Sequence, residues 1–469
     1  MENENKLKNS RLGKDKISVL MVKLAVPSVL AYLVNILYNI VDRIYIGHIV
    51  SAAGEEGLAL TGLGICLPVI QLISAFSAFA GTGGAPLASI ELGKSETAPS
   101  AKKNAGKILS NAFLLLLFFS FILTVFFYCF KEPVLMFFGA SSKTLPYADD
   151  YLSTYLVGTV FVQLSLGLNP FISCQGKAKT AMFSILLGAV LNIILDPIFI
   201  FKLGWGVKGA AAATIISQGA CCLWIMLFLL SSRSSIKLTF KEIKLDFSII
   251  KKTSRLGLSP FIMQSTESAI FVVFNSGLQK YGGDLYVGAM TIMQSVMQII
   301  CIPAMGFSNG VQPLISYNFG AQKYERVTET VRKLLLVNGI MTLALVASAS
   351  FFPKAFASMF TQSSKILELV EKLLPFYIGG MWLMWIQNSA QITFVGIGNA
   401  KTSIFIACLR KLILLIPLAL ILPLFFGADG IIFAEPVATL CSACTSGILL
   451  LKQYRKFQES INEKKYKNN

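Results

Sequence analysis

Four carboxylates stand inside apolar runs where lipid would otherwise surround them: Asp42, Asp196, Glu267 and, near the start of the last run, Glu435. Each costs about 2.5–3.5 kcal/mol to place at the centre of a membrane helix, so each requires a partner, a cation or water. Asn192 precedes Asp196 by one helical turn and shares its face, and Thr214 lies in the next apolar run. Helical rise sets their depths: Asp42 is about 38 Å along from Ile17, Asp196 about 24 Å along from Thr180, and Thr214 about 9 Å in from the outer surface. Four oxygen-bearing side chains from three helices are thus expected at one depth, in the outer half of the membrane. Two carboxylates that can share or exchange charge, with neutral oxygens beside them, suit a proton or a hard cation such as Na⁺. A plainer reading pairs Asp42 with its neighbour Arg43, although adjacent helix positions diverge by about 100°. Glu267 reads equally well as a structural acid.

Other chemistry finds little support. A single histidine, His48, and nine cysteines spread through apolar runs give no cluster at metal-ligand spacing. Cys441 and Cys444 form a CxxC without a second pair and read as small packing residues. The stretch Ala88 to Ser95 fits a relaxed phosphate-loop pattern, but it closes an apolar run instead of joining a strand to a helix. One histidine at a helix end supports no Ser-His-Asp arrangement, and no repeated filter sequence marks a selective pore. The expectation is a protein that is not an enzyme and needs no cofactor.

The elements that hold these residues follow from composition. Hydrophobic residues make up 55% of the 469 and charged ones only 14%, against about 25% charged in soluble domains. Apolar runs long enough to cross a bilayer lie near 17–48, 58–84, 105–130, 146–171, 178–202 and 208–231, then near 255–281, 284–318, 327–352, 372–397, 401–426 and 429–453. The expected fold is an all-α polytopic membrane protein with twelve transmembrane helices in two pseudo-symmetric six-helix bundles. Residues 1–16 form an N-terminal tail, 17–231 the N-lobe, 232–254 a basic linker, 255–453 the C-lobe and 454–469 a C-terminal tail. The net charge of +17 does not point to nucleic acid, because the basic residues flank apolar segments. Most fall on the side of the N-terminus, including those of 233–255 and Lys401, Arg410 and Lys411, and this places both termini in the cytoplasm of a cell-membrane protein. Lys23 and Arg43 lie within the first span and read as the only buried basic residues.

The halves repeat. Pro86-Leu87-Ala88-Ser89 aligns with Pro313-Leu314-Ile315-Ser316, and Gly176, Ala178, Lys179 and Thr180 align with Gly398, Ala400, Lys401 and Thr402. Like-oriented halves of six spans form a parallel repeat, an architecture of alternating-access transport. The second half lacks the acid pair: Asn275 stands opposite Asp42, and Pro417 or Leu418 opposite Asp196.

The stretch from Asn192 through Asp196-Pro197 and Gly204-Trp205-Gly206 to Thr214, with Tyr38-Asn-Ile-Val-Asp42-Arg-Ile-Tyr-Ile-Gly47 and Gln312-Pro313 to Gly320-Ala321, resembles the multidrug and toxic compound extrusion (MATE) family. The likeness spans all twelve runs and is greatest to the prokaryotic branch of DinF-like and MepA-like exporters. It implies a V-shaped pair of six-helix bundles exporting organic cations in exchange for H⁺ or Na⁺. It further implies that Asp42, Asn192, Asp196 and Thr214 form a cation-coupling network adjoined by Tyr38, with Na⁺ possible at Asp42 and Asp196. Pro27 would be the bend of the first helix, Tyr151 and Asn169 would be substrate-facing, and Glu267 would be a second-lobe acid. Helical rise, however, puts Asn169 near the inner end of its span. Arg43 departs from the family's usual small hydroxyl residue.

A substrate cavity between lobes would be lined by Met290, Met293, Gln294 and Met297, and by Trp382, Trp385, Gln387, Asn388 and Gln391. Methionine adapts its shape and aromatic faces attract cations; core or lipid-facing packing is the plainer reading of each. The expected partners are small organic cations and membrane lipid, handled by a monomer. A lipid-linked glycan flippase, or a membrane enzyme or channel, are the alternatives, and a conspicuously cationic cavity would favour the flippase.

Overall fold

A lipid interior offers backbone N–H and C=O groups no partners, so an apolar run must satisfy them within itself and becomes helix. The computed structural model describes residues 11–49, 58–238, 244–360 and 363–468. In chain order the spans are α1 (Ile17–Gly47), α2 (Leu58–Lys94), α3 (Ala101–Phe137), α4 (Leu145–Val157) with α5 (Thr159–Ser173), α6 (Ala178–Lys202) and α7 (Gly206–Leu230). Then follow α8 (Phe247–Gly283), α9 (Leu285–Gly320), α10 (Tyr324–Phe351), α11 (Ser364–Gly396), α12 (Ala400–Phe426) and α13 (Ala428–Lys464). Among the described residues eleven helices are long and apolar enough to cross a membrane; α4 and α5 meet at 61° and, taken as one broken span, make a twelfth. The architecture is the expected all-α, twelve-span membrane fold, without strands among the described residues.

Several helices outrun their apolar segments. The second span, expected to end at 84, continues to Lys94; the seventh, expected from 255, starts at Phe247; the last, expected to stop at 453, runs on to Lys464. Hydropathy marks the part of a helix that meets lipid, whereas its hydrogen-bond ladder continues past the lipid boundary. The phosphate-like stretch through Lys94 is the last turns of α2. Pro27 lies inside α1, which stays helical on both sides of it.

The chain forms two compact units. One comprises residues 1–29 and 265–469, the other 30–264. The partition therefore cuts α1 just after Pro27 and cuts α8 in its first half, and does not follow the linker at 232–254. Close helix contacts explain it. In the second unit α8 presses on α2, where a Cβ on Gly83 would stand 2.6 Å from the Thr253 carbonyl oxygen. In the first unit the start of α1 presses on α9, where a Cβ on Gly310 would stand 2.6 Å from the Ala25 Cα. Gly83 and Gly310 are repeat mates, so the same small-residue crossing is built twice.

Polar side chains tie the ends of the spans down. In the first unit Asn318 donates to the Leu12 carbonyl at 3.2 Å, and Arg326 donates to those of Leu12 and Asp15 at 3.1 and 2.7 Å. In the second, the Asn111 side chain accepts from the Asp246 N–H at 2.9 Å, and Gln175 Oε1 accepts from the Ser235 N–H at 2.6 Å. The described parts of the basic linker are thus held against one unit.

Candidate functional site

The second unit brings its acids together through the end of α6. Pro197 has no N–H to give the ladder, and the helix widens into a π turn over Ile198–Lys202 directly after Asp196. Gly209 of α7 lies against the backbone of Phe199 and Ile200, where a Cβ would come within 2.7 Å of Phe199. From that contact Thr214 rises about 7.5 Å along α7 and Asn192 lies about 10 Å back along α6, which sets them side by side. Asn192 Nδ2 donates to Asp196 Oδ1 at 3.1 Å and to Thr214 Oγ1 at 3.4 Å.

Asp42 arrives from α1 and is 8% exposed; Asp196 is fully buried. The two carboxylates lie within electrostatic reach of each other. Tyr38, one turn before Asp42, and Tyr151 from α4 both feel the Asp42 charge, and Tyr151 stacks on Tyr155 with ring centroids 6.1 Å apart. Tyr151 thus lies within electrostatic reach of Asp42. Arg43 is exposed while Asp42 is buried, so the adjacent residues face different ways. Asp42 Oδ1, Asp196 Oδ2 and Asn192 Oδ1 are buried without hydrogen-bond partners among the described residues. Each such acceptor costs about 1–3 kcal/mol. A proton would make a carboxylate oxygen a donor, and a hard cation would satisfy several oxygens at once, so these oxygens fit either ion.

Asn169 lies elsewhere. Its amide donates to the Ala181 carbonyl at 3.0 Å and to Ser184 Oγ at 2.7 Å, and Ala181 precedes Asn192 by about 16 Å of helix.

The first unit holds a different set of charges. Glu267 on α8 forms an ion pair with Lys411 on α12, and Arg410, next in sequence, pairs with Glu435 on α13 at 2.5 Å. Thr439 Oγ1 donates to Glu435 Oε1 at 3.3 Å. Arg410 and Lys411 occupy a π turn, Leu409–Leu415, and both are buried, 9% and 4% exposed. A straight α-helix would turn adjacent side chains about 100° apart; the wider turn accommodates both inside the unit. Counting them with the loop charges was therefore wrong, and Lys23 and Arg43, which do lie within α1, are exposed and are not the buried basic residues. The signal was present: Lys411 lies about 16 Å into its helix from Ala400.

The other expected lining residues divide. Met290 and Met293 are fully buried in the core of the first unit, against residues such as Val346 and Leu374, which is the packing reading. Gln387 and Gln391 are buried as well, Gln391 donating to Ser403 Oγ at 2.9 Å. Gln294, Met297, Trp385 and Asn388 are half-buried, and Trp382 is exposed. Trp385 Nε1 donates to the Trp382 carbonyl at 2.9 Å. Sequence reasoning also passed over Asn338, whose amide donates to Ser308 Oγ at 2.7 Å and Ser389 Oγ at 3.1 Å in that same unit.

Twelve apolar spans and a fold repeated in two halves define an integral membrane protein of the transporter kind, in which one half encloses a pair of acids. The chain belongs to the MatE family, whose model matches residues 27–198 and again residues 260–421. The second match opens at Pro260, the repeat mate of Pro27. Among curated proteins it is 26% identical to multidrug export protein MepA of Staphylococcus haemolyticus, over 90% of this chain and 91% of that one. It is 24% identical to the protein of that name from Staphylococcus aureus, over 94% and 95%. Among solved structures, an outward-facing multidrug resistance MATE family transporter of the MOP superfamily superposes with a TM-score of 0.87 at 23% identity, over 96% of this chain and 98% of that one.

Proposed function

We propose that the protein is a secondary active multidrug exporter that moves lipophilic organic cations out of the cell in exchange for H⁺ or Na⁺, by alternating access. The observation that carries this reading is the cluster of Asp42, Asp196, Asn192 and Thr214, in which three buried acceptor oxygens have no donor among the described residues. Relatives named as multidrug export proteins along nearly the whole chain support the multidrug export role. The distribution of Lys and Arg supports cytoplasmic termini, which puts the acids in the outer half of the membrane, on the side where the coupling ion is richer.

A cation that reaches Asp42 and Asp196 neutralises charge that low-dielectric surroundings otherwise penalise. Asp42 is carried by α1, and α1 passes from one compact unit to the other just beyond Pro27. A change of charge at Asp42 therefore acts on a helix that belongs to both units, and Pro27, which lacks an N–H, is the place where that helix yields most readily. Tyr38 and Tyr151 border the same charge. Half-buried Met297, Gln294, Trp385 and Asn388 are the first-unit residues best able to meet a drug.

Efflux of a fluorescent lipophilic cation from proteoliposomes, with a pH gradient and a Na⁺ gradient imposed separately, tests the reading. One gradient should drive efflux in the wild type and not in Asp42→Asn. Efflux by that variant equal to wild type would sink the proposal. A flippase for lipid-linked glycans is less well supported, because each of the buried basic residues Arg410 and Lys411 is matched by an acid.

A further inference from the structure

The start of α8 is fixed to the protein and yet turns large apolar side chains outward. Asn111 of α3, itself buried, donates through Nδ2 to the Lys244 carbonyl at 3.3 Å, and its Oδ1 accepts from the Asp246 N–H at 2.9 Å. One amide thus grips the backbone on both sides of Leu245. Asp246 then caps the helix, its Oδ1 accepting from the N–H groups of Ser248 and Ile249 at 2.9 and 3.3 Å. Despite this anchoring, Leu245 is 61% exposed and Phe247 79% exposed. Packing inside the unit is therefore not what these two side chains serve.

Depth decides what surrounds them. α8 has 37 residues, about 54 Å of helix, against a hydrocarbon core of about 30 Å. Its apolar run begins only near 255. Residues 245–254 accordingly stand in the headgroup layer, where leucine and phenylalanine side chains can reach the edge of the acyl chains.

Basic side chains converge on the same place. Asn111 Nδ2 also donates to the Lys107 carbonyl at 2.9 Å, so the backbones of Lys107 and Lys244 meet at one amide. A Cβ on Gly106 would lie 3.6 Å from the Lys237 carbonyl oxygen, which brings a third lysine alongside. The start of α8 keeps Thr253, Leu256 and Gly257 buried and leaves Lys251, Lys252 and Arg255 exposed. No acid pairs with any of these six bases among the described residues. The acid within 244–255, Asp246, is taken up by the helix cap. Phosphate oxygens answer ammonium and guanidinium groups, and acyl chains answer Leu245 and Phe247. A soluble polyanion would satisfy the bases and leave the aromatic ring in water.

We propose that the first turns of α3 and α8, with the linker leading into α8, form a binding site for anionic phospholipid of the surrounding bilayer. Lys107, Lys237, Lys244, Lys251, Lys252 and Arg255 attract the headgroup, and Leu245 and Phe247 enter the acyl boundary. The site lies wholly within the second unit and does not depend on the exporter reading.

The test compares dioleoylphosphatidylglycerol with dioleoylphosphatidylcholine, each titrated onto the full-length protein in detergent and read by native mass spectrometry. The wild type should bind the anionic lipid about 25-fold more tightly, the ratio for two basic residues at the headgroup contributing about fivefold each. Added salt should reduce that ratio, because exposed charges are screened. Lys244→Gln/Lys251→Gln/Lys252→Gln, which alters only exposed side chains, should bring the ratio to within about threefold of one. Phe247→Ser should weaken both lipids alike and leave their ratio in place. Equal binding of the two lipids by the wild type, or an unchanged ratio in the triple variant, overturns the proposal. Inorganic phosphate that displaces phosphatidylglycerol at equal concentration overturns it as well, since the acyl contact would then contribute nothing. Each of these outcomes leaves the exporter reading standing.

Discussion

The two units carry related folds and opposite solutions to the problem of charge in a membrane. In the second unit, Asp42 and Asp196 are buried with oxygens that lack donors and with neutral Asn192 and Thr214 for company. In the first, Glu267 and Glu435 are matched by Lys411 and Arg410. An acid whose counter-ion is covalently part of the protein cannot give that counter-ion up, only rearrange it. An acid without one has to borrow a cation from solution, and it can return that cation on the other side. The difference teaches that duplicating a six-helix scaffold does not duplicate its chemistry: one copy is suited to exchanging an ion and the other to fixing charge in place.

The sharpest way to break this comparison is to neutralise the acids of the second unit. Asp42→Asn or Asp196→Asn should reduce gradient-driven dye efflux to background, a loss of more than about tenfold if the ion contributes even 1.4 kcal/mol to the cycle, as measured in proteoliposomes. Removing one member of the closed pair comes next. Arg410→Ala leaves Glu435 buried and unpaired and should lower stability by about 3–5 kcal/mol, seen as a lower thermal unfolding midpoint in detergent, whereas Arg410→Met/Glu435→Leu should recover most of the loss. Thr214→Val removes one weak acceptor and should weaken coupling by about 0.5–1.5 kcal/mol, a severalfold rise in the ion concentration giving half-maximal efflux. The smallest effect is expected at Arg43. It is exposed on α1, so Arg43→Ser should change the same half-saturation by less than about twofold, the scale of exposed ion pairs.

The reach of the sequence differs between the two regions for physical reasons. Twelve spans were legible because each must be apolar over the thickness of a bilayer, and the bend between α4 and α5 was not, because it leaves hydropathy unchanged. The meeting of Asn192, Asp196 and Thr214 could be drawn from rise per residue alone, since antiparallel neighbours joined by a short turn share depth. Tyr151 and Asn169 are on the paired helices α4 and α5, where the 61° bend upsets any such arithmetic; Tyr151 came out with the acids and Asn169 did not. Arg410 and Lys411 were misread because a basic pair invites assignment to a loop, and the π turn that takes both inside leaves no mark in composition. The partition of α1 and α8 between units was equally hidden. It depends on Gly83 and Gly310 at helix crossings, and a glycine in an apolar run does not say which helix it touches.

The central claim is that the uncompensated acids, and not the paired charges, hold the exchangeable ion. The most direct measurement is release of that ion when a lipophilic cation is added to purified protein in weakly buffered detergent, with a pH-sensitive and a Na⁺-sensitive dye recorded together. Wild type and Glu267→Gln/Lys411→Met should both release one of the two ions, and Asp42→Asn and Asp196→Asn should release neither. Undiminished release from both Asp42→Asn and Asp196→Asn, or release lost only in Glu267→Gln/Lys411→Met, would contradict the account.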